Sequence, residues 1–196
     1  MRSRYGAARG LGNRAGRALR WVMAGLMLLG AAPAGAEPLV LTAMGDSLTQ
    51  GYGLPAEQGF VPVLQDWLQN RGHDVRVVNA GVSGDTTAGG AARIDWTLAE
   101  APDGLIVALG GNDLLRGIDP ATSRANLEAI LSSASKAQVP VLLAGLPAPG
   151  NYGPDFKQNF EAMYRELAGE WGALLHPDFL GPISDKASQG LSLSDL

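Results

Sequence analysis

Short apolar runs alternate along the chain with stretches whose apolar positions recur every three or four residues. Leu39-Val-Leu-Thr-Ala43 reads as a first strand, and Val75-Arg-Val-Val78 as a second. Leu105-Ile-Val-Ala-Leu109 is a third, apolar throughout, as a strand covered on both faces should be. Val139-Pro-Val-Leu-Leu-Ala144 and Ala173-Leu-Leu175 are a fourth and fifth. Helices fill the gaps. Phe60, Val61, Leu64 and Leu68 share one face after a Gly59 cap, and Pro62 falls in the first turn. Thr86 or Thr87 caps a helix that repeats Ala91, Ile94 and Leu98. Asp119-Pro120 starts one carrying Leu127, Ile130, Leu131 and Ala134. Pro154 opens the last, with Phe156, Phe160, Met163, Tyr164 and Leu167 on its buried side. This βαβαβαβαβ order predicts an α/β fold, one parallel five-stranded sheet sandwiched between helices in the flavodoxin-like manner. No internal repeat or linker divides it.

The segment before the first strand follows another pattern. Arg2, Arg4, Arg9, Arg14, Arg17 and Arg20 precede an apolar run from Trp21 to Ala32, and Ala34-Gly-Ala36 follows. A basic stretch, a short apolar core and an A-x-A site make up a secretory signal. The run of 12 residues falls short of the ~20 that span a bilayer as a helix, which argues against the alternative of a retained anchor. Residues 1–36 are thus expected to be removed, and the product to start at Glu37 in the periplasm or outside the cell. Residues 37–196 form the expected catalytic domain.

Charge narrows the possible partners. Residues 1–36 hold six arginines and no acid, so the remainder has nine basic groups against nineteen acidic ones and a net charge of −10. A body that acidic is a poor nucleic-acid binder. The 196 residues contain no cysteine and two histidines. Thiol nucleophiles and Cys-ligated metal sites are therefore excluded, and no metal or organic cofactor is called for.

The chemistry lies where open α/β sheets bind ligands, beyond the carboxyl ends of the strands. Gly45-Asp-Ser-Leu-Thr49 follows strand one, Asn79-Ala-Gly-Val-Ser-Gly-Asp-Thr-Thr87 strand two, and Gly110-Gly-Asn-Asp113 strand three. A serine in a tight turn leading into a helix presents its Oγ at the rim. A glycine after strand two lets a backbone N–H come close to a ligand. An asparagine after strand three adds a neutral amide donor. One hydroxyl with converging donors suits acyl transfer, a nucleophile beside an oxyanion hole. Read one at a time, the three segments are also ordinary βα turns, where Gly, Asn, Asp and Ser are common. A non-catalytic flavodoxin-like binding module therefore stays open. No G-x-G-x-x-G follows the first strand, and neither a G-x-x-x-x-G-K-[ST] loop nor a G-x-S-x-G elbow occurs.

These segments resemble the GDSL, or SGNH, hydrolases, especially the secreted bacterial arylesterases and the thioesterase/lysophospholipase enzymes. The matching blocks are Gly45–Thr49, Ser83-Gly-Asp-Thr86, Gly110–Asp113 with Leu115-Arg-Gly117, and Leu146-Pro-Ala-Pro-Gly-Asn-Tyr-Gly153. The resemblance runs from about Leu39 to Leu175. It implies an SGNH fold and a nucleophilic Ser47 acting on a small acyl ester or thioester. It also implies an oxyanion hole built from the N–H of Ser47, the N–H of Gly84 and the side-chain amide of Asn112. Asp46, Asp85 and Asp113 are expected to hold turns rather than act as acids. Leu48, Leu54, Leu114, Leu115 and Leu146 would suit an acyl chain, or else belong to the core.

The family also supplies a base and its orienter as Asp-x-x-His near the C-terminus. No such pair occurs here: Asn70 stands three residues before His73, and Ala173 three before His176. His73 falls in a loop at the far edge of the sheet from Ser47, and His176 directly on the end of the fifth strand. Neither is expected to be the base. Residues 176–196 carry scattered Ser, Gly and Pro with no helix to cover the fifth strand. The natural gene is therefore expected to continue past Leu196 with Asp-x-x-His and a helix, and the chain as given to be badly impaired. A diverged, inactive relative is the alternative.

Overall fold

The computed structural model describes residues 37–181, so the signal-sequence reading of 1–36 and the polar stretch 182–196 lie outside the described residues. Five parallel strands form one sheet: β1 (Leu39–Gly45), β2 (Val75–Gly81), β3 (Gly104–Ala108), β4 (Val141–Ala144) and β5 (Leu174–His176). Their spatial order is β2-β1-β3-β4-β5. Register runs Leu39 opposite Val75, Leu41 opposite Gly104, Leu105 opposite Val141 and Leu142 opposite Leu174. The order reverses beside β1, so the loops after β1 and β3 face each other across the switch point, where such sheets hold their ligands.

The two-residue period of a strand divides the core. Met44, Leu105, Val107, Val141 and Leu143 point to one face, where they meet α3 (Thr87–Ala99), α5 (Pro120–Lys136) and α6 (Pro154–Trp171). Ile94, Leu127, Ile130, Phe160, Met163 and Leu167 come down from these helices. Ala43, Val75, Val77 and Ile106 point to the other face, against Val61, Leu64 and Leu68 of α2 (Phe60–Gln69). All five residues of β3 are buried, as expected for the centre of a parallel sheet. The sequence pattern placed each strand and long helix to within a few residues.

The helix starts follow their signals. Thr86 caps α3, its hydroxyl accepting from the N–H of Gly89 at 3.4 Å. Asp119 caps α5 by accepting from Ala121 N–H at 2.9 Å, with Pro120 first in the helix. Two short helices have no periodic signal, α1 (Ser47–Gln50) and α4 (Gly111–Leu115), and both lie at the carboxyl edge. Among the described residues no helix is long and apolar enough to cross a membrane.

Candidate active site

Ser47 opens α1, the single helical turn that follows β1. Asp46 caps this turn, its Oδ1 accepting from Leu48 N–H at 3.0 Å. Burial pushes the Asp46 carboxyl above its ordinary range, partly offset by that hydrogen bond. As the first helical residue, Ser47 has an N–H without an intrahelical acceptor. It finds no acceptor elsewhere among the described residues, and its Oγ makes no hydrogen bond there. The hydroxyl and the N–H are both available to a ligand.

Asn112 arrives from the opposite loop on α4. The turn before it exists because Gly110 adopts φ +117°, where a side chain is strained, and a Cβ there would collide with the Tyr164 hydroxyl. That hydroxyl, buried on α6, donates to Leu109 O at 2.9 Å and fixes the end of β3. Asn112 Nδ2 donates to Asp85 O at 2.8 Å and, more loosely, to Asp46 Oδ2 at 3.4 Å. The looser bond is the one a ligand oxygen could replace at least cost.

Gly84 holds the third loop with φ +83°, and its N–H donates to no acceptor among the described residues. Its carbonyl accepts from Arg116 Nη2 at 2.9 Å. The loop is thus held twice, to Asn112 of α4 through Asp85 O and to Arg116, the residue that ends α4, through Gly84 O. A cavity of about 290 Å³ opens against Ser47 and Asn112, with Leu48, Leu114, Leu115 and Leu146 among its walls. Gly84 stands in the neighbouring turn and is not part of the cavity wall. Leu54 borders a larger apolar groove of about 560 Å³ beside α2, which shares Leu48 and Leu180 with the first cavity.

The three aspartates hold turns. Asp85 pairs with Arg93 at 2.7 Å, and Arg93 also reaches Gly45 O at 3.1 Å, joining the end of β1 to α3. Asp113 is fully buried. Its Oδ2 accepts from Thr87 N–H at 2.8 Å, and its Oδ1 from the hydroxyls of Thr87 at 2.5 Å and Ser123 at 2.9 Å. Asn126 completes the cluster by donating to Thr87 Oγ at 3.0 Å. Arg93 and Ser123 escaped the sequence reading, and Thr87 and Arg116 entered it only as a helix cap and as part of a matching block, because the groups they bond come from other segments of the chain.

Neither histidine joins this site. His73 sits between α2 and β2, its N–H bonded to Leu68 O at 3.2 Å. His176 ends β5; its carbonyl accepts from Gly145 at 2.8 Å, and it borders the larger groove rather than the Ser47 cavity. Among the described residues no group of three His, Cys, Asp or Glu side chains could hold a metal ion.

With the geometry in view, comparison with known proteins decides the class. The model of the GDSL-like Lipase/Acylhydrolase family matches residues 43–191, and so takes in all three strand-end loops. The chain belongs to this family. It is 42% identical over 156 residues to esterase TesA of Pseudomonas aeruginosa, covering 79% of this chain and 77% of that protein. It is 37% identical over 156 residues to thioesterase 1/protease 1/lysophospholipase L1 of Escherichia coli K12, covering 79% and 73%. Among solved structures, the SGNH-hydrolase family esterase AlinE4 superposes with a TM-score of 0.76 at 41% identity, covering 80% of this chain and 84% of that one. The GDSL family assignment favours a hydrolase over the flavodoxin-like binding module.

Proposed function

We propose that this GDSL-family chain is an exported serine hydrolase that cleaves carboxylic ester or thioester bonds of acyl substrates through an acyl-enzyme on Ser47. The observation that carries the reading is the unspent hydroxyl and N–H of Ser47 opposite the Asn112 amide, across one apolar-walled cavity. In this mechanism Ser47 Oγ attacks the acyl carbon and gives its proton to a base. The carbonyl oxygen gains the negative charge and takes hydrogen bonds from Ser47 N–H, Gly84 N–H and Asn112 Nδ2. The bond to the alcohol or thiol then breaks, and that leaving group departs with a proton. Water repeats the sequence on the acyl-enzyme and releases the acid.

No Asp-x-x-His pair occurs within these 196 residues to supply the base. We assign the base role to neither His73 nor His176. Losing a triad histidine costs on the order of 10⁴–10⁶ in turnover, so the chain alone is slow. Residual acceleration then comes from the oxyanion donors and from binding.

The test is hydrolysis of a short p-nitrophenyl ester by the full chain, with imidazole supplied as an external base and its own background subtracted. The expected result is imidazole-stimulated turnover that disappears in Ser47→Ala and falls on the order of 10²–10³-fold in Asn112→Ala. Stimulated turnover that survives Ser47→Ala overturns the nucleophile assignment. Full enzymic rates without imidazole, abolished by His176→Ala, would make His176 the base. Export is tested by N-terminal sequencing of the processed protein, which should begin at Glu37.

A further inference from the structure

The segment between β2 and α3 is tied to both ends of the turn that carries Ser47. Ahead of Ser47, Gly45 O accepts from Val82 N–H at 3.0 Å and from Arg93 Nη2 at 3.1 Å, while Arg93 Nε pairs with Asp85 Oδ2 at 2.7 Å. Behind it, at the last residue of α1, Gln50 Oε1 accepts from Ser83 N–H at 2.9 Å. The backbone of Gln50 is itself seated on the end of β2. Asn79 Nδ2 donates to its carbonyl at 3.2 Å, and a Cβ on Gly81 would lie 2.3 Å from its nitrogen.

Asp85 N–H closes a turn onto Val82 O at 3.1 Å. Gly84 is the third residue of this turn, at φ +83°, and Ser83, the second, is not among the residues at positive φ. These signs make a type II turn. Its central peptide unit joins the Ser83 carbonyl to the Gly84 N–H. When a type II turn converts to type I this unit reverses, and the N–H points to the other side. Glycine admits both orientations, because it takes positive and negative φ about equally well. The unit makes no hydrogen bond of its own among the described residues, through either group. Its surroundings are bonded throughout. Ser83 N–H is held by Gln50, Gly84 O by Arg116, and Asp85 by Arg93 and Asn112.

We infer that Gln50 and Arg93 are positioning residues that hold the Ser83–Gly84 peptide in the type II orientation and so fix the direction of the Gly84 N–H relative to Ser47. The inference rests on the hydrolase reading, in which that N–H receives the oxyanion. Gln50 acts on the residue before Gly84 and Arg93 on the residue after it, and each ties its side to the Ser47 turn. Neither touches substrate. Without one of them the donor spends part of its time reversed, which weakens the transition state and leaves substrate binding alone.

The experiment compares Gln50→Ala, Gln50→Glu and Arg93→Ala with wild type in the full chain, by two readouts. The first is the nuclear Overhauser effect at the Gly84 amide proton. That proton lies beside Ser83 Hα in a type II turn and beside the Ser83 amide proton in type I. Wild type and Gln50→Glu, which keeps an acceptor, should show the Hα contact. Both alanine variants should weaken it and gain the amide contact. The second readout is imidazole-stimulated turnover of a short p-nitrophenyl ester. Its kcat should fall about threefold to tenfold in Gln50→Ala and about tenfold to a hundredfold in Arg93→Ala, short of the ~10²–10³ that deleting a whole donor costs. KM should stay unchanged, and Gln50→Glu should recover most of the rate. A type II contact pattern that persists in both alanine variants overturns the inference, and so does a loss carried by KM at unchanged kcat. Gln50 is exposed, so Gln50→Ala should fold even where Arg93→Ala does not, and a persistent type II pattern there then overturns the inference alone. A reversed peptide in the alanine variants of a chain whose wild type has no Ser47-dependent turnover would uphold the positioning and overturn the hydrolase reading instead.

Discussion

Replacing Asp113 by alanine removes a carboxylate that three interior donors share. Two of them are hydroxyls, on Thr87 and Ser123, and can rotate toward other acceptors; the Thr87 N–H cannot. A hydrogen bond to a charged group contributes about 1.5–3 kcal/mol, and a buried donor left unmade costs about 1–3 kcal/mol. With one donor stranded and two partly recovered, Asp113→Ala should lose about 3–5 kcal/mol, a large share of a stability of roughly 5–15 kcal/mol. Asp113→Asn should fall in between. If its oxygen faces Thr87 N–H, its NH₂ faces two hydroxyls that can turn to accept, so the shape and most bonds survive without the charge. The assay is urea unfolding of the full chain, with midpoint and slope fitted together. The midpoint should drop in the order wild type, Asn, Ala, at unchanged slope. A loss below about 1 kcal/mol for Asp113→Ala would show that the cluster is satisfied without the carboxylate and refute the reasoning.

Gly110→Ala puts a methyl against the Tyr164 hydroxyl at a left-handed φ; it should cost more than about 2 kcal/mol in urea unfolding and lower the reactivity of Ser47 by displacing Asn112. Tyr164→Phe leaves the buried Leu109 carbonyl without its donor and should cost about 1–2 kcal/mol by thermal or urea unfolding. Glu161 accepts from Lys157 Nζ and from Ala148 N–H at 3.0 Å, and above all the Lys157 bond holds its carboxyl below the ordinary 4.5. A lowered folded value means that the ionised group favours folding. The advantage of wild type over Glu161→Gln should therefore be full above about pH 4.5 and fade as the pH falls below it; for this exposed pair it should stay under about 1 kcal/mol.

The long elements were legible because burial imposes a period. β3 is uninterrupted apolar sequence and lies buried on both faces, and Leu127, Ile130, Leu131 and Ala134 fall inward at helical spacing. That Ser47 and Asn112 share one edge was legible because both follow strands of a parallel sheet; the roles expected of them came from the family resemblance. The short helices α1 and α4 were not legible. Four or five residues carry no period, and their starts depend on a side-chain cap at Asp46 and a left-handed backbone at Gly110. Asp113 shows the limit most clearly. Its sequence context marks it as a turn-holding aspartate, but only the arrival of Thr87 and Ser123 from α3 and α5 accounts for its burial. Arg93 carries no sequence signal of its own; the fold brings Asp85 and Gly45 O within its reach.

The central claim is that Ser47 is a nucleophile facing the Asn112 amide. Its most direct test is mass-spectrometric mapping of the adduct that a fluorophosphonate forms with the full chain in imidazole buffer. The account predicts one adduct, on Ser47, absent in Ser47→Ala and formed far more slowly in Asn112→Ala. An adduct on another residue, or none on the folded wild-type chain, would contradict it.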